Sequence, residues 1–201
     1  TGKTGRRVLE RALSQGHEVR ALVRNPAKLE VAHERLSVVQ GDVLDAEAVE
    51  STVAGAEAVL SLFGHVKGSP RGLQTEGTEL IVAAMQRHGV KRLVTLSGGG
   101  LRAPQDRPKL ADRLIRLLLR LLSGHVLTDA EGHLEILQRS GLDWTVVRGP
   151  MLSEDPGKGR YRVGWVGVNA STRISRDDLA DFILTQVDDD TFLRQMPFVS
   201  D

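Results

Sequence analysis

The chain has 201 residues, enough to bury the core of one domain. Its net charge of +1 and its aromatic content of 3% argue against a nucleic-acid-binding surface. It contains no cysteine and no apolar run of about 18 residues, so disulfides, iron–sulfur clusters, thiol catalysis and a membrane span are excluded and a cytoplasmic protein is predicted.

The first element is a glycine-rich loop, Thr1-Gly2-Lys3-Thr4-Gly5, that runs into a helical pattern over 6–13 and stops at Gly16. Glycines let the backbone approach a pyrophosphate closely, and the free amide groups of the next helix then point at the anion. The pattern therefore predicts the back half of a dinucleotide-binding loop. A dinucleotide loop normally follows a strand, so we expect that strand to be missing from this chain.

Short apolar runs then alternate with amphipathic segments, which is typical of parallel strands covered by helices on both faces. Asp45 is a predicted N-cap for a helix over 46–53, Gly89 closes another helix, and Ser175 with Asp178 predicts a helix over 177–187. This order predicts a doubly wound Rossmann-like α/β/α sheet in a single domain over 1–201. Residues 151–172 are expected to form a loop with a small hairpin. The predicted strands are 19–23, 36–39, 58–62, 93–96 and 144–147.

In such a sheet the ligand lies beyond the carboxyl ends of the strands, where the strand order reverses. Each predicted strand here ends in glycine, proline or polar residues, which supports the dinucleotide interpretation more strongly than the opening loop does. The candidate cofactor-binding residues are Gly2, Lys3, Thr4, Gly5, Arg24, Asp42, Val43, Leu62, Phe63, Gly64, Ser97 and Pro150, and Met151 is a candidate for the acceptor pocket.

Arg24 stands where a site that prefers NADH usually has an acidic residue. A guanidinium can grip a 2′-phosphate with two hydrogen bonds, and Lys28 adds charge nearby, so NADPH is favoured over NADH. Asp42 and Val43 suit the amine and the ring of adenine. The alternatives are that Arg24 is a solvated loop residue and that Asp42 caps a turn.

With these residues assembled, the chain resembles the small atypical short-chain dehydrogenase/reductases. Within them it is most similar to the flavin reductase and biliverdin-IXβ reductase family, and more distantly to the NmrA-like NADP-binding proteins. The resemblance covers the whole chain. The motifs that carry it, besides the opening loop, are His17–Arg24, Val39–Leu44, Glu76-Gly77-Thr78, Ala83-Ala84-Met85, His88-Gly89-Val90, Ser140-Gly141-Leu142, Gly159–Val163 and Ile174–Leu179.

The resemblance implies a first strand before the loop, lying mid-sheet between the strands at 19–23 and 58–62. It also implies an NADPH-dependent reductase that passes a hydride to a flat conjugated acceptor, with flavin as a substrate rather than a bound prosthetic group. Ser97 would orient nicotinamide or acceptor, unless it is only a strand-end serine. Met151 stands where the family has a histidine, so the acceptor preference is expected to differ.

Reduction of a ketone by a tyrosine acid is disfavoured, because the chain has no Tyr-x-x-x-Lys pair and its only tyrosine is Tyr161. The alternative function is a non-catalytic NADP(H)-binding sensor of NmrA-like type. The six histidines show no metal-ligand spacing, so no metal site is predicted and the histidines are expected to be solvated or at helix ends.

The segment Lys109–Leu122 is almost wholly apolar apart from a strip of arginines. A helix of this composition is expected to bury most of its circumference. It predicts a lid over the acceptor pocket, with a homodimer interface as the second interpretation and a membrane-surface helix as the third.

Overall fold

The computed structural model describes residues 1–201 and alternates helices and strands along most of the chain. Two short 3₁₀ turns, Pro26–Lys28 and Asp190–Phe192, lie between the helices and strands. The elements are α1 (Lys3–Ser14), β1 (Val19–Val23), β2 (Leu36–Gln40), α2 (Ala46–Val53), β3 (Ala58–Ser61), α3 (Leu73–His88), β4 (Arg92–Gly98), α4 (Leu110–Arg139), β5 (Asp143–Gly149), β6 (Met151–Ser153), β7 (Arg162–Gly164), β8 (Arg173–Ser175), α5 (Arg176–Thr185) and β9 (Phe198–Ser200).

The strands form one large sheet and two parallel pairs. The large sheet has the order β3-β4-β5-β9-β7, and within it only β7 runs antiparallel, against β9. β1 pairs with β2, β6 pairs with β8, and the β1–β2 pair has no ladder to β3. The predicted mostly parallel sheet is confirmed.

Helices cover both faces of the sheet, as side chains of successive strand residues point to opposite sides. Along β4, Leu93 packs into the core under α2, α3 and α4, whereas Val94 packs into a second core under α1 and α5. Because parallel strands connected by crossover helices bury both faces, this layering follows from the alternation of elements in the sequence. The predicted three-layer α/β/α architecture is confirmed.

The predicted helix ends have the local chemistry expected of them. The Asp45 carboxylate accepts hydrogen bonds from the amides of Glu47 and Ala48, so α2 begins and ends where the sequence indicates. Gly89 has a φ of 70° after the last turn of α3, a conformation that glycine adopts without strain. The Ser175 hydroxyl accepts a hydrogen bond from the Asp178 amide and caps α5.

Two glycines allow close packing around α3. A Cβ atom at Gly77 would lie 2.9 Å from the ring of Phe63 and 3.1 Å from Val43, so only a hydrogen fits at that point. A Cβ atom at Gly132 of α4 would lie 2.6 Å from the Thr75 hydroxyl. The side chains of α4 therefore approach α3 closely enough for polar groups to bond between the two helices.

The segment 151–172 differs from the predicted loop with a hairpin. Its strands pair with partners outside the segment, β6 with β8 and β7 with β9. Within the segment, reciprocal backbone hydrogen bonds of 2.9 and 2.8 Å form an antiparallel bridge between Trp165 and Val168, so the predicted hairpin is reduced to this tight turn. Strands of three residues carry too short a pattern to be recognised from sequence.

The prediction that the Lys109–Leu122 helix buries most of its circumference is wrong. Eight of its leucine and isoleucine side chains are 42–82% exposed, and the buried residues of α4 all follow a break in helical geometry at Ser123. Of its arginine strip only Arg116 faces the protein, where it donates to the carbonyl of Gly100 and pairs with Glu131, whereas Arg113 and Arg120 are exposed. None of the helices is both long enough and apolar enough to cross a bilayer.

Candidate functional site

The N-terminus of α1 is open and lacks a side-chain cap. Gly2 occupies the N-cap position, and the first backbone bond runs from the Arg6 amide to the Gly2 carbonyl. The amides of Lys3, Thr4 and Gly5 therefore have no partner within the helix. A Cβ atom at Gly2 or Gly5 would meet nothing within 4 Å, so there is room for a ligand. This arrangement fits the diphosphate of a dinucleotide.

Cationic side chains surround the same helix end. Arg176 donates to the Thr4 hydroxyl over 3.1 Å, and Lys3 lies 3.1 Å from the Glu154 carboxylate. A hydrogen bond from Arg176 and the nearby Lys3 lower the pKa of Glu154 to about 2, so this carboxylate is ionised among the cations. Arg176 was not predicted as a site residue, because it follows the Ser175 cap of a helix distant in sequence from the loop.

Arg24 and Asp42 lie side by side at the carboxyl ends of β1 and β2. Arg24 is 71% exposed, and its Nε atom is 3.9 Å from Asp42 Oδ2. The other carboxylate oxygen of Asp42 accepts a hydrogen bond from the Leu44 amide, so the turn-capping alternative describes its main contact. Lys28 lies exposed in the following 3₁₀ turn. The guanidinium of Arg24 is free to contact an anion at this rim.

The apolar candidates in the neighbouring loops point into the protein. Val43 and Phe63 are partly buried and pack against Gly77 and the core below α3. Leu62 packs against the core on the opposite face of the sheet. At these three positions the side chains serve the core, and the backbone forms the rim.

Ser97 ends β4 with its hydroxyl free. The residue is 8% exposed, and its Oγ atom makes no hydrogen bond within the protein. The alternation of β4 directs Ser97 to the same side of the sheet as Thr95, towards α4. Gly64 is open, Pro150 is half-buried and Met151 is exposed. An unpaired hydroxyl near the end of β4 and an exposed thioether just after β5 suit the reactive end of a ligand.

Arg148, at the end of β5, has a structural role. It is fully buried and forms two 2.8 Å bonds with the carboxylate of Asp106. Burial by itself raises the pKa of Asp106, but hydrogen bonds from Arg148 and from the amides of Ala103 and Val166 bring the pKa below its ordinary value. This ion pair ties the loop after β4 to the end of β5, beneath the rim.

Tyr161, the only tyrosine, is engaged with α5. Its hydroxyl donates to Asp181 over 3.1 Å, and its ring packs edge-on against Phe182. Burial and the Asp181 carboxylate raise the pKa of Tyr161 to about 12. A phenol whose proton is held this firmly is a poor acid, in line with the disfavoured tyrosine mechanism.

A buried polar line connects α3, α4 and β4. His133 lies with Nδ1 2.7 Å from the Thr78 hydroxyl and Nε2 3.2 Å from the Thr95 hydroxyl. Burial lowers the pKa of His133 to about 4, against a smaller opposing effect of Asp129. The prediction that the histidines are solvated or at helix ends is wrong for this residue, which is neutral and bonded on both ring nitrogens.

A second buried polar contact involves Asp129, which lies one turn before His133 on α4. His65 Nε2 is 2.6 Å from Asp129 Oδ2, and both side chains are at least nine-tenths buried. This pair was not predicted from the sequence, because 64 positions separate His65 from Asp129. The signal was present in part: His65 directly follows Gly64 at a strand end. No group of three or more histidine, cysteine, aspartate or glutamate residues is arranged to hold a metal ion.

We expect acidification to destabilise the protein through His133. Its pKa is about 4 in the folded protein against 6.5 in the unfolded chain, so the unfolded chain takes up the proton first as the pH falls. The resulting loss of unfolding free energy, about 3 kcal/mol at most, begins near pH 6.5 and is complete below about pH 4.

Urea unfolding between pH 7 and 4 measures this loss, and a His133→Gln variant should show a smaller one. Equal losses in the variant and the wild type would contradict the assignment to His133. The ionised Asp129 contributes in a lower range, since its pKa is reduced and its contribution is lost only below the unfolded value near 4.

Comparison with known proteins gives three kinds of match. A family model described as NAD(P)H-binding matches residues 1–190. An uncharacterized chloroplastic protein of Arabidopsis thaliana is 28% identical over 190 residues, covering 90% of this chain and 67% of the relative. A 3-beta-hydroxysteroid dehydrogenase of Mycolicibacterium neoaurum is 33% identical over 119 residues, covering 53% of this chain but only 32% of the dehydrogenase.

Solved structures match the fold over the whole chain. A short-chain dehydrogenase/reductase of Veillonella parvula in complex with NADP has a TM-score of 0.82 at 20% identity and is covered over 90% of its length. An anaerobilin reductase of Escherichia coli O157:H7 has a TM-score of 0.80 at 18% identity and is covered over 92% of its length. Both likenesses cover 100% of this chain and show the Rossmann-like fold.

Proposed function

The chain belongs to the NAD(P)H-binding family, and we propose that it is an NADPH-dependent reductase of a flat conjugated acceptor such as a flavin, a biliverdin-like tetrapyrrole or a quinone. The observation that carries this proposal is the open, uncapped N-terminus of α1, which presents free amides and Lys3 to an anion. The NADP complex of one structural neighbour and the reductase activity of another support it.

Each part of the site has a role in this proposal. The amides of Lys3, Thr4 and Gly5 hold the diphosphate, and Arg24 holds the 2′-phosphate, which selects NADPH over NADH. NADPH, when bound, supplies a hydride from its nicotinamide ring. The hydroxyl of Ser97 orients the nicotinamide or the acceptor, and Met151 offers a soft apolar surface to a flat ring.

One assay tests the proposal. The purified protein is mixed with NADPH and with FMN, riboflavin, biliverdin or a quinone, and the nicotinamide absorbance is followed. We expect oxidation of NADPH with at least one acceptor and slower oxidation of NADH. Tight binding of NADPH without oxidation by any acceptor would instead support the alternative, an NADP(H)-binding sensor or regulator.

The exposed apolar side chains of α4 support a further part of the proposal, a homodimer. Together they expose on the order of 800 Å², about what one partner buries in a standard protein interface and more than the largest patch of a typical monomer. We propose that the Lys109–Leu122 helix packs against its copy in a second chain. Sedimentation velocity should show a dimer, and Leu114→Gln with Leu118→Gln should give monomers.

Three expectations from composition belong to the same proposal and await measurement. We propose that residues 1–201 act as one dinucleotide-binding domain, that the ligands are small molecules rather than nucleic acid, and that the protein works in the cytoplasm. Fractionation of cells expressing the protein tests the last of these.

A further inference from the structure

His65 and Asp129 form a buried acid–base pair that no cofactor contact requires. Asp129 Oδ2 accepts from His65 Nε2 over 2.6 Å and from the Gln74 amide over 2.7 Å. Asp129 Oδ1 accepts from the amide and the hydroxyl of Thr75, over 2.9 and 2.6 Å. The carboxylate thus sits at the N-terminus of α3 with four donors, a surrounding that favours its charged form.

The charge on Asp129 determines that Nε2 of the His65 imidazole carries a proton. Burial by itself raises the pKa of Asp129, but the bonds from Thr75, Gln74 and His65 bring the pKa below its ordinary value. Because an ionised carboxylate only accepts hydrogen bonds, Nε2 of His65 must carry a proton. Nδ1 is then the ring nitrogen at which imidazole and imidazolium differ.

Nδ1 of His65 is available to a ligand. It makes no hydrogen bond within the protein, and it is not among the buried polar atoms that lack a partner, which belong to Arg11, Gln186 and Asp201. The titratable groups that face the ring are both on α4: Asp129 and His125, whose ring packs edge-on with a centroid distance of 5.8 Å. From α3 it is the amides and the hydroxyl around Asp129 that complete the surroundings.

The His65–Asp129 pair lies level with Ser97 along the strand direction of the sheet. His133 of α4 contacts Thr95 of β4, which fixes a common level for the two elements. Asp129 is four residues nearer the rim along α4, about 6 Å, and Ser97 is two residues nearer along β4, about 7 Å. Both Ser97 and Thr95 face the α4 side, which places the imidazole and the Ser97 hydroxyl at the same end of the sheet face that α4 covers.

We propose that His65 is the proton donor of the reduction and that Asp129 is its positioning residue, an inference that rests on the proposed reductase function. The acceptor takes the hydride, with its electron pair, at one atom, and the displaced π electrons move to a nitrogen or oxygen at the other end of the conjugated system. There the Nδ1–H bond of the His65 imidazolium breaks and an N–H or O–H bond forms. Neutral His65 then regains a proton from water.

The kinetic test compares His65→Gln with His88→Gln. His88 is a matched control, because its Nε2 also lies 2.6 Å from a carboxylate, that of Glu50, at the far end of α3. With the acceptor that gives the highest rate, H65Q should lower kcat about 100-fold and leave the Kd of NADPH unchanged, and D129N should lower kcat about tenfold. H88Q should match the wild type. The kcat of the wild type should fall with rising pH as imidazolium is lost, and H65Q should lack this fall.

A measurement without cofactor or acceptor tests the geometry. Long-range ¹H–¹⁵N NMR spectra of the wild type should show neutral His65 with its proton on Nε2, and D129N should lose this single tautomer. Because the wild-type spectrum suffices, the test stands even if H65Q does not fold. A neutral wild-type imidazole with its single proton on Nδ1, rather than on Nε2, overturns the proposal.

The outcomes separate the two proposals. An active wild type whose rate and pH profile are reproduced by H65Q overturns the role of His65 and leaves the reductase function standing. If the wild type fails to oxidise NADPH with every acceptor of the panel, both proposals are overturned. An active wild type, a 100-fold slower H65Q and an unaffected H88Q support both.

Discussion

Asp106→Asn is expected to lower the free energy of unfolding by about 3–5 kcal/mol. The fully buried guanidinium of Arg148 would lose its counter-charge, and the amide nitrogen of asparagine would face it as a second donor. The amides of Ala103 and Val166 also bond to this carboxylate, so the substitution disturbs three segments together. Urea unfolding at pH 7, followed by circular dichroism, measures the change.

Glu135→Gln is the control for this prediction. Glu135 also pairs with an arginine, Arg139, over 3.5 Å, but both side chains are largely exposed. Its loss should change the unfolding free energy by less than about 0.5 kcal/mol. If the Asp106 variant were as stable as the Glu135 variant, the buried Arg148–Asp106 pair would not hold the loop after β4 to the end of β5.

Arg24→Asp is expected to weaken NADPH binding on the order of 100-fold, about 3 kcal/mol, and to leave NADH binding nearly unchanged. The substitution removes the proposed two-point contact to the 2′-phosphate and puts a carboxylate, a like charge, at that position next to Asp42. NADH has no 2′-phosphate and so loses nothing there. Fluorescence titration of both nucleotides against the purified protein gives the two dissociation constants.

The control for Arg24 is Lys91→Asp. Lys91 is exposed just before the amino end of β4, at the opposite edge of the sheet, and the net charge changes by the same amount. This variant should bind both nucleotides like the wild type. An equal loss of NADPH and NADH affinity in the Arg24 variant would show that Arg24 does not read the phosphate.

The elements with strong local signals could be predicted from the sequence. The strand at 19–23 and the helix at 46–53 have the predicted bounds, because an apolar run and the Asp45 cap mark them within a few residues. The helix ending at Gly89 and the one capped by Ser175 were also recognised from such neighbours. Arg24 and Ser97 were recognised as candidates because each stands near the end of a predicted strand, and the glycine-rich loop because it runs into a helix.

Features made by distant residues could not be predicted. The Arg148–Asp106 and His65–Asp129 pairs join residues 42 and 64 positions apart, and nothing near either member identifies its partner. The first half of α4 shows another limit. Its composition indicates burial, yet eight of its leucine and isoleucine side chains are exposed, because composition does not specify which surface an apolar helix packs against.

The absence of a Cβ atom at Gly77 has a consequence for the entrance of the proposed site. Val43 and Phe63, from the loops beside Asp42 and Gly64, both approach the space that a Cβ atom at Gly77 would occupy. A single methyl group at position 77 would wedge these loops outwards and alter the gap that a nucleotide must span. In the proposed NADPH site, the distance between the adenine end and the nicotinamide end therefore depends on Gly77, which lies behind both loops.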